Sequence, residues 1–251
     1  MPVRRDLTRC DGVLADDEVH VWHFSLDLPE QAVDPLLAIL DAGERDRAAR
    51  FKIPAPRNQY IASHAFLRAV LGRYLQIDPT GIRFRTSTKG KPELTEGHLR
   101  FNLSHTEGTA VVAISRRWTV GVDVEKVREN LEPLELADRF FSRQEAEWIR
   151  SQPDARRIPA FFACWTAKEA YIKACGGGLS IPLAGFCVIP YAGQPELNLD
   201  VYGKPEDSAR WSIWQLDLDA SLRSALAVEG EGRDLTVRVG RTNREQLFDL
   251  A

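Results

Sequence analysis

The sequence predicts an α+β chain built on antiparallel sheet, because its elements run strand, helices, strands, helices, strands instead of repeating a βα unit. Two periodicities carry that order. Apolar and polar residues alternate over short stretches near the N-terminus, after Pro79 and near the C-terminus, whereas apolar residues recur at steps of three and four in between. A two-lobed arrangement with a break near residues 116–118 suits the same order, since strands and helices occur on both sides of it.

Residues 19–26 read as a first strand, with Val19, Val21, Phe24 and Leu26 among its strand formers. Leu36, Leu37 and Leu40 suit a short amphipathic helix, and residues 44–51 a second that carries Arg45, Arg47 and Arg50. Pro54 and Pro56 punctuate that run. Tyr60, His64, Leu67, Leu71 and Tyr74 then predict a long helix with one apolar face. Residues 100–104, 110–115 and 119–125 are strand-like, joined by Thr106-Glu107-Gly108 and by Arg116-Arg117, which predicts an antiparallel meander. Ser142 with Glu145 is a capping-box signature for a helix through Trp148 and Ile149. A stronger helix is expected to start near Pro159, a good first-turn residue, and to stop at Gly176-Gly177-Gly178. Residues 186–189, 211–216, 224–228 and 235–239 again read as strands.

Composition narrows the function classes. A chain of 251 residues is ample for one large core or two modest ones. It holds no unbroken apolar stretch long enough to cross a bilayer, so a membrane-spanning role is excluded. The charged N-terminal residues have no apolar segment behind them, unlike a secretory signal, and the expected location is the cytoplasm. Cys10, Cys164, Cys175 and Cys187 form no Cys-x-x-Cys pair, so neither a disulfide framework nor a zinc site is expected. A net charge of −3 argues against a surface built for nucleic acid, and any anionic ligand needs a local basic cluster. His20 and His23 read as structural.

Three constellations carry chemistry. In Val120-Gly121-Val122-Asp123-Val124-Glu125 the strand period puts the valines on one face and Gly121, Asp123 and Glu125 on the other. The two carboxylates lie about 7 Å apart along the strand. Spacing alone also fits a solvated strand face, but hard oxygen ligands beside a glycine that leaves room for a bulky ligand suit magnesium. In the second, Trp165, Glu169 and Lys173 share one helical face, either as core plus a surface ion pair or as a third oxygen ligand plus a phosphate counter-charge. In the third, Lys89-Gly90-Lys91-Pro92 precedes Phe101-Asn102-Leu103-Ser104-His105, where Asn102 and Ser104 share a face and, with the lysines at a glycine turn, suit either a phosphate or a plain solvated turn with His105 as a turn residue. It is not a P-loop, because the Gly-x-x-x-x-Gly-Lys-Ser/Thr frame is missing.

In this order, the Lys89–Pro92 and Phe101–His105 motifs, Gly121-Val122-Asp123-Val124-Glu125-Lys126 and Trp165-Thr166-Ala167-Lys168-Glu169-Ala170-Tyr171-Ile172-Lys173 together resemble Sfp-type 4′-phosphopantetheinyl transferases. The resemblance runs from about residue 44 to about residue 183. It implies a two-lobed pseudo-symmetric α+β fold, with an N-terminal lobe of residues 1–117 and a C-terminal lobe of 118–251 that carries the metal-binding motifs.

The activity it implies is Mg²⁺-dependent transfer of 4′-phosphopantetheine from coenzyme A to a serine of an acyl or peptidyl carrier protein, converting apo to holo carrier with release of 3′,5′-ADP. By motif position, Asp123, Glu125 and Glu169 would hold Mg²⁺ on the pyrophosphate. Lys173 would neutralise phosphate charge, and Glu169, or a water it polarises, would be the general base. Lys89, Gly90, Lys91, Asn102, Ser104 and His105 would contact the nucleotide end, and Arg47 would be a basic coenzyme A contact. The partners implied are coenzyme A and a carrier protein, without nucleic acid or membrane, and a monomer is expected because a two-lobed chain completes its own cleft. A magnesium-dependent nucleotide hydrolase and a non-catalytic coenzyme A binder are the rival readings.

Overall fold

The computed structural model describes residues 3–7, 13–88, 90–189, 195–230 and 235–248. Strands β1 (Val3–Leu7) and β2 (Glu18–Ser25) come first. Helix α1 (Glu30–Val33) and a 3₁₀ turn (Asp34–Ala38) follow, then α2 (Ala42–Ala49) and the 22-residue α3 (Pro54–Leu75). Next come β3 (Phe84–Thr86), β4 (Pro92–Leu94), β5 (Arg100–Thr106), β6 (Thr109–Ser115) and β7 (Val120–Lys126). Helices α4 (Pro133–Phe140), α5 (Arg143–Ser151) and the 22-residue α6 (Asp154–Cys175) precede β8 (Phe186–Ile189) and β9 (Glu196–Val201). The remaining elements are α7 (Pro205–Arg210), β10 (Trp211–Leu216), β11 (Leu222–Glu229), β12 (Thr236–Arg241) and α8 (Arg244–Phe248).

Local chemistry sets most boundaries. Asp41 and Glu44 form a capping box on α2, and Ser142 and Glu145 form the expected one on α5. Pro54 and Pro56 open α3 instead of interrupting the chain before it, since a proline in the first turn forfeits only an N–H that would have no helical partner. The expected start of α6 is corrected: the helix begins at Asp154 and Pro159 lies inside it. Gly176 ends α6 at φ 71°, where a side chain would be strained.

The strands form two five-stranded sheets, ordered β1-β12-β2-β6-β5 and β7-β11-β10-β9-β8, with β3 and β4 as a separate hairpin. The second sheet is antiparallel throughout, whereas in the first β12 runs parallel to both β1 and β2. The expected meander is therefore only half right. β5 and β6 form a hairpin, but β7 leaves that sheet and pairs with β11. Ser115 Oγ turns the chain at this point by accepting the N–H groups of Arg117 and Trp118 at 3.3 and 3.0 Å.

Packing orders the layers. α3 covers one face of the first sheet through Phe66 and Leu71 against Trp22, Phe24 and Ile114, with Phe24 and Phe66 stacked at 4.1 Å. The other face meets the second sheet, Val19, Val21 and Val111 packing with Val120, Val122, Val124 and Leu226. α6 covers the far face of that sheet, setting Ala167, Ala170 and Ala174 against Ile213, Ala225 and Ala227. The layers thus run helix, sheet, sheet, helix. No helix among the described residues is long and apolar enough to cross a membrane. Cys164, Cys175 and Cys187 are in no disulfide among the described residues, while Cys10 lies outside them.

Candidate active site

β5 and β7 are edge strands of different sheets and face each other along one side of the molecule. An edge strand leaves every second N–H without a ladder partner. Here β5 supplies side chains in place of a backbone neighbour. Asn102 Oδ1 accepts the Val122 N–H at 2.8 Å, Ser104 Oγ the Val124 N–H at 3.4 Å, and Thr106 Oγ1 the Lys126 N–H at 3.3 Å. At the start of the same edge, Lys91 Nζ donates to the Val120 carbonyl at 2.6 Å.

The other side of β7 presents Gly121, Asp123 and Glu125 to α6, as strand alternation predicts. The room left by Gly121 is filled by the helix, not by a ligand. A Cβ there would lie 2.1 Å from the Ala170 carbonyl oxygen and 2.4 Å from the Ala174 nitrogen, so the missing side chain is what lets α6 approach. That approach brings Lys173 onto Asp123. Lys173 Nζ donates to Asp123 Oδ1 at 2.6 Å and to Ser104 Oγ at 2.9 Å, and Ser104 in turn donates to Asp123 Oδ1 at 2.9 Å.

Asp123 is 4% exposed, and its second oxygen, Oδ2, is buried without a hydrogen-bond partner. A buried carboxylate oxygen of this kind is costly unless something positive or proton-bearing meets it. Glu125 and Glu169 are half-buried beside it. Burial first, and then the charge of Asp123, push both carboxyls above their ordinary pKa, while Lys173 pulls both back. Asp123, Glu125 and Glu169 thus lie within electrostatic reach of one another, with Lys173 and, at Glu125, Arg128 as the nearby cations. Among the described residues no three His, Cys, Asp or Glu side chains converge into a ready-made metal cage. The donor set is an open one, which fits a magnesium ion that takes one or two carboxylates and completes its shell with water and substrate phosphate.

A cluster of histidine and arginine side chains lies next to this centre. His105, next to last in β5, is open to solvent, yet the surrounding protein, and then His64, Lys173 and Arg47, hold its imidazole below the ordinary pKa. Arg47, exposed on α2, places its guanidinium 5.3 Å from the Tyr60 ring, and that ring packs on His64 at 4.1 Å. His64 Nδ1 lies 3.0 Å from Glu44 Oε1, and the fully buried Arg68 grips the other Glu44 oxygen at 2.6 Å. His64 was legible only as one member of a helical apolar face.

The Lys-Gly-Lys turn is divided. Gly90 adopts φ 85° and donates its N–H to the Ser87 carbonyl at 2.9 Å, closing the turn between β3 and β4. Burial lowers the Lys91 pKa to about 8, and its ammonium caps Val120. Lys89 lies outside the described residues. Asn102 and Ser104 spend their oxygens on β7, a use that nucleotide contact alone would not predict. On α6, Trp165 packs with Phe161 and Phe141, and so belongs to the core while Glu169 and Lys173 belong to the site.

Two family profiles match the chain: one described as the 4′-phosphopantetheinyl transferase superfamily over residues 119–229, and one described as 4′-phosphopantetheinyl transferase, N-terminal, over residues 29–117. Among curated proteins, the 4′-phosphopantetheinyl transferase HetI of Nostoc sp. is 36% identical over 223 residues, covering 87% of this chain and 91% of that protein. The 4′-phosphopantetheinyl transferase Sfp of Bacillus subtilis is 30% identical over 176 residues, covering 68% of this chain and 76% of that protein. A phosphopantetheinyl transferase of Thraustochytrium sp. is 28% identical over 221 residues, covering 80% and 75%.

Proposed function

Since the chain belongs to the 4′-phosphopantetheinyl transferase superfamily and is a transferase enzyme, we propose that it moves 4′-phosphopantetheine from coenzyme A to a serine of an acyl or peptidyl carrier protein, releasing 3′,5′-ADP. The observation that carries this reading is the meeting of carboxylates at one point: Asp123 Oδ2 buried without a partner, with Glu125 and Glu169 raised beside it. Asp123, Glu125 and Glu169 would hold Mg²⁺, which when bound neutralises pyrophosphate charge as the leaving group departs.

The protein's own groups supply the rest. Lys173, fixed between Asp123 and Ser104, is a positive charge placed to meet the phosphate of the departing nucleotide. Glu169, or a water it polarises, is the candidate base for the carrier serine hydroxyl, because taking that proton needs a carboxylate or a water within hydrogen-bond reach. Arg47 and His105, with Gly90, Lys91, Asn102 and Ser104 along the junction, are proposed to line the coenzyme A site, and Lys89, outside the described residues, is proposed with them on its motif position. For Asn102 and Ser104 that contact would run alongside their bonds to β7. The division into lobes of 1–117 and 118–251, action as a monomer and a cytoplasmic location belong to the same proposal. The two profiles meet at residues 117 and 119, which supports the division, while β12 pairs back into the first sheet across it.

Incubating the enzyme with an apo-carrier protein, coenzyme A and Mg²⁺ should add the phosphopantetheine mass to the carrier, read by mass spectrometry. Asp123→Ala and Glu169→Ala should abolish that addition while circular dichroism reports an intact fold. Cleavage of coenzyme A with no gain of carrier mass would favour hydrolysis, and normal transfer by either variant would remove these carboxylates from the mechanism.

A further inference from the structure

The side-chain rail between β5 and β7 repeats in a way that bears on the carboxylates. Asn102, whose amide oxygen takes the Val122 N–H, stands beside Gly121, where there is no carboxylate. Two residues on, Ser104 Oγ takes the Val124 N–H and donates its proton to Asp123. Two residues further, Thr106 Oγ1 takes the Lys126 N–H and donates its own proton to Glu125 Oε2 at 3.3 Å. A hydroxyl has a single proton, and where a backbone N–H occupies one lone pair that proton is left for the carboxylate. Each carboxylate of β7 therefore has its own hydroxyl on β5.

Glu125 has need of such a restraint. The Arg128 guanidinium, 63% exposed, lies 3.7 Å from the same Oε2 and competes for it from a more exposed position. Asp123 has Lys173 and Ser104 to hold it, whereas Glu125 meets Thr106 on β5, two residues along the strand from the Ser104 that holds Asp123. We propose that Thr106 is a positioning residue for the transfer reaction, fixing the Glu125 carboxylate toward Asp123 and Glu169 so that the three present one binding face to a divalent cation. This rests on the function proposed above.

Thr106→Val keeps the β-branched shape that a strand favours and removes only the hydroxyl. With coenzyme A at saturation, the Mg²⁺ concentration that half-maximally raises the melting temperature should increase about tenfold, the usual effect of losing a group that orients a metal ligand. The carrier KM should be unchanged, and Thr106→Ser should restore the Mg²⁺ dependence. In a Glu125→Gln background, Thr106→Val should add no further loss, because its effect passes through Glu125. If Thr106→Val does not fold, Thr106→Ala carries the same comparisons. An unchanged Mg²⁺ midpoint, failure of the serine variant to rescue, or a full additional loss in the Glu125→Gln background would overturn the proposal. Absence of transfer by the unaltered enzyme would instead remove the function on which it rests.

Discussion

Lys168 and Lys173 stand little more than a turn apart on α6, and their surroundings give them different work. Lys168 is fully buried and spends its three protons on Glu145 at 2.8 Å and on the carbonyls of Leu183 and Phe186 at 2.8 and 2.7 Å. Glu145 is satisfied in turn by Ser142 and by the Val188 N–H, so the pair is closed and ties α5 and α6 to β8. Lys173 is 30% exposed and faces three carboxylates that it only partly neutralises. Burial, and then the charge of Asp123, set a pH dependence. Glu125 and Glu169 have folded pKa values above their ordinary value of 4.5, so below that value their contribution to stability is full, and it is lost as pH rises through the raised pKa. At neutral pH without metal, both therefore weaken the fold. Glu169→Gln should raise the neutral-pH melting temperature by about 2 °C, the shift that roughly 0.5–1 kcal/mol produces in a chain of this size. The gain should vanish near pH 4, where the native carboxyl is protonated as well. Thermal melts at both pH values check this, and a lower melting temperature for the variant at neutral pH would contradict it.

At the scale of elements, the site depends on how closely α6 lies on β7. Gly121→Ala would drive a methyl group into the backbone of α6 at Ala170 and Ala174, where neither partner is a flexible side-chain end. The helix must shift, at a cost of about 2 kcal/mol or more, and the melting temperature should fall by about 4–8 °C. Transfer should fall further than stability does, because Lys173 moves with the helix; full activity in a destabilised variant would show that the contact serves folding alone. The faces of β7 were legible, since alternation at Val120, Val122 and Val124 assigns the core side and leaves Gly121, Asp123 and Glu125 together. Both long helices, the capping box at Ser142 and the stop at Gly176 were readable from local chemistry, whereas the box at Asp41 and the start of α6 at Asp154 were not. Partner choice was not. That β7 pairs with β11 and meets β5 through side chains depends on the turn at Ser115 and on the layers, which no local pattern records. The alternation of Asn102 and Ser104 was visible, but their polar oxygens suited a ligand as well as a neighbouring strand, and Thr106 read as part of the turn although β5 runs through it. β3 and β4, three residues each, are too short to show a period.

Taken as a molecule, the two halves are stitched at opposite sides of the first sheet. At one side β5 meets β7 through the rail; toward the other, β12 arrives from the second half and lies between β1 and β2. Between these seams the facing valines of the two sheets form one shared core. Neither sheet can lose its partner without exposing that core, and the first sheet cannot keep its order without β12. Unfolding should therefore be a single cooperative event despite the two-sheet architecture, with the calorimetric enthalpy equal to the van't Hoff enthalpy. The candidate site draws Asp123 and Glu125 from β7, Ser104 and Thr106 from β5 and Lys173 from α6, so a ligand bound there engages both halves at once. Coenzyme A with Mg²⁺ should then move the whole transition upward, by about 2.7 kcal/mol of added stability at a ligand concentration a hundredfold above Kd. Calorimetry with and without the ligands reads both quantities. Two resolved transitions, with only one of them shifted by ligand, would mean that the halves fold separately and that the site lies within one of them.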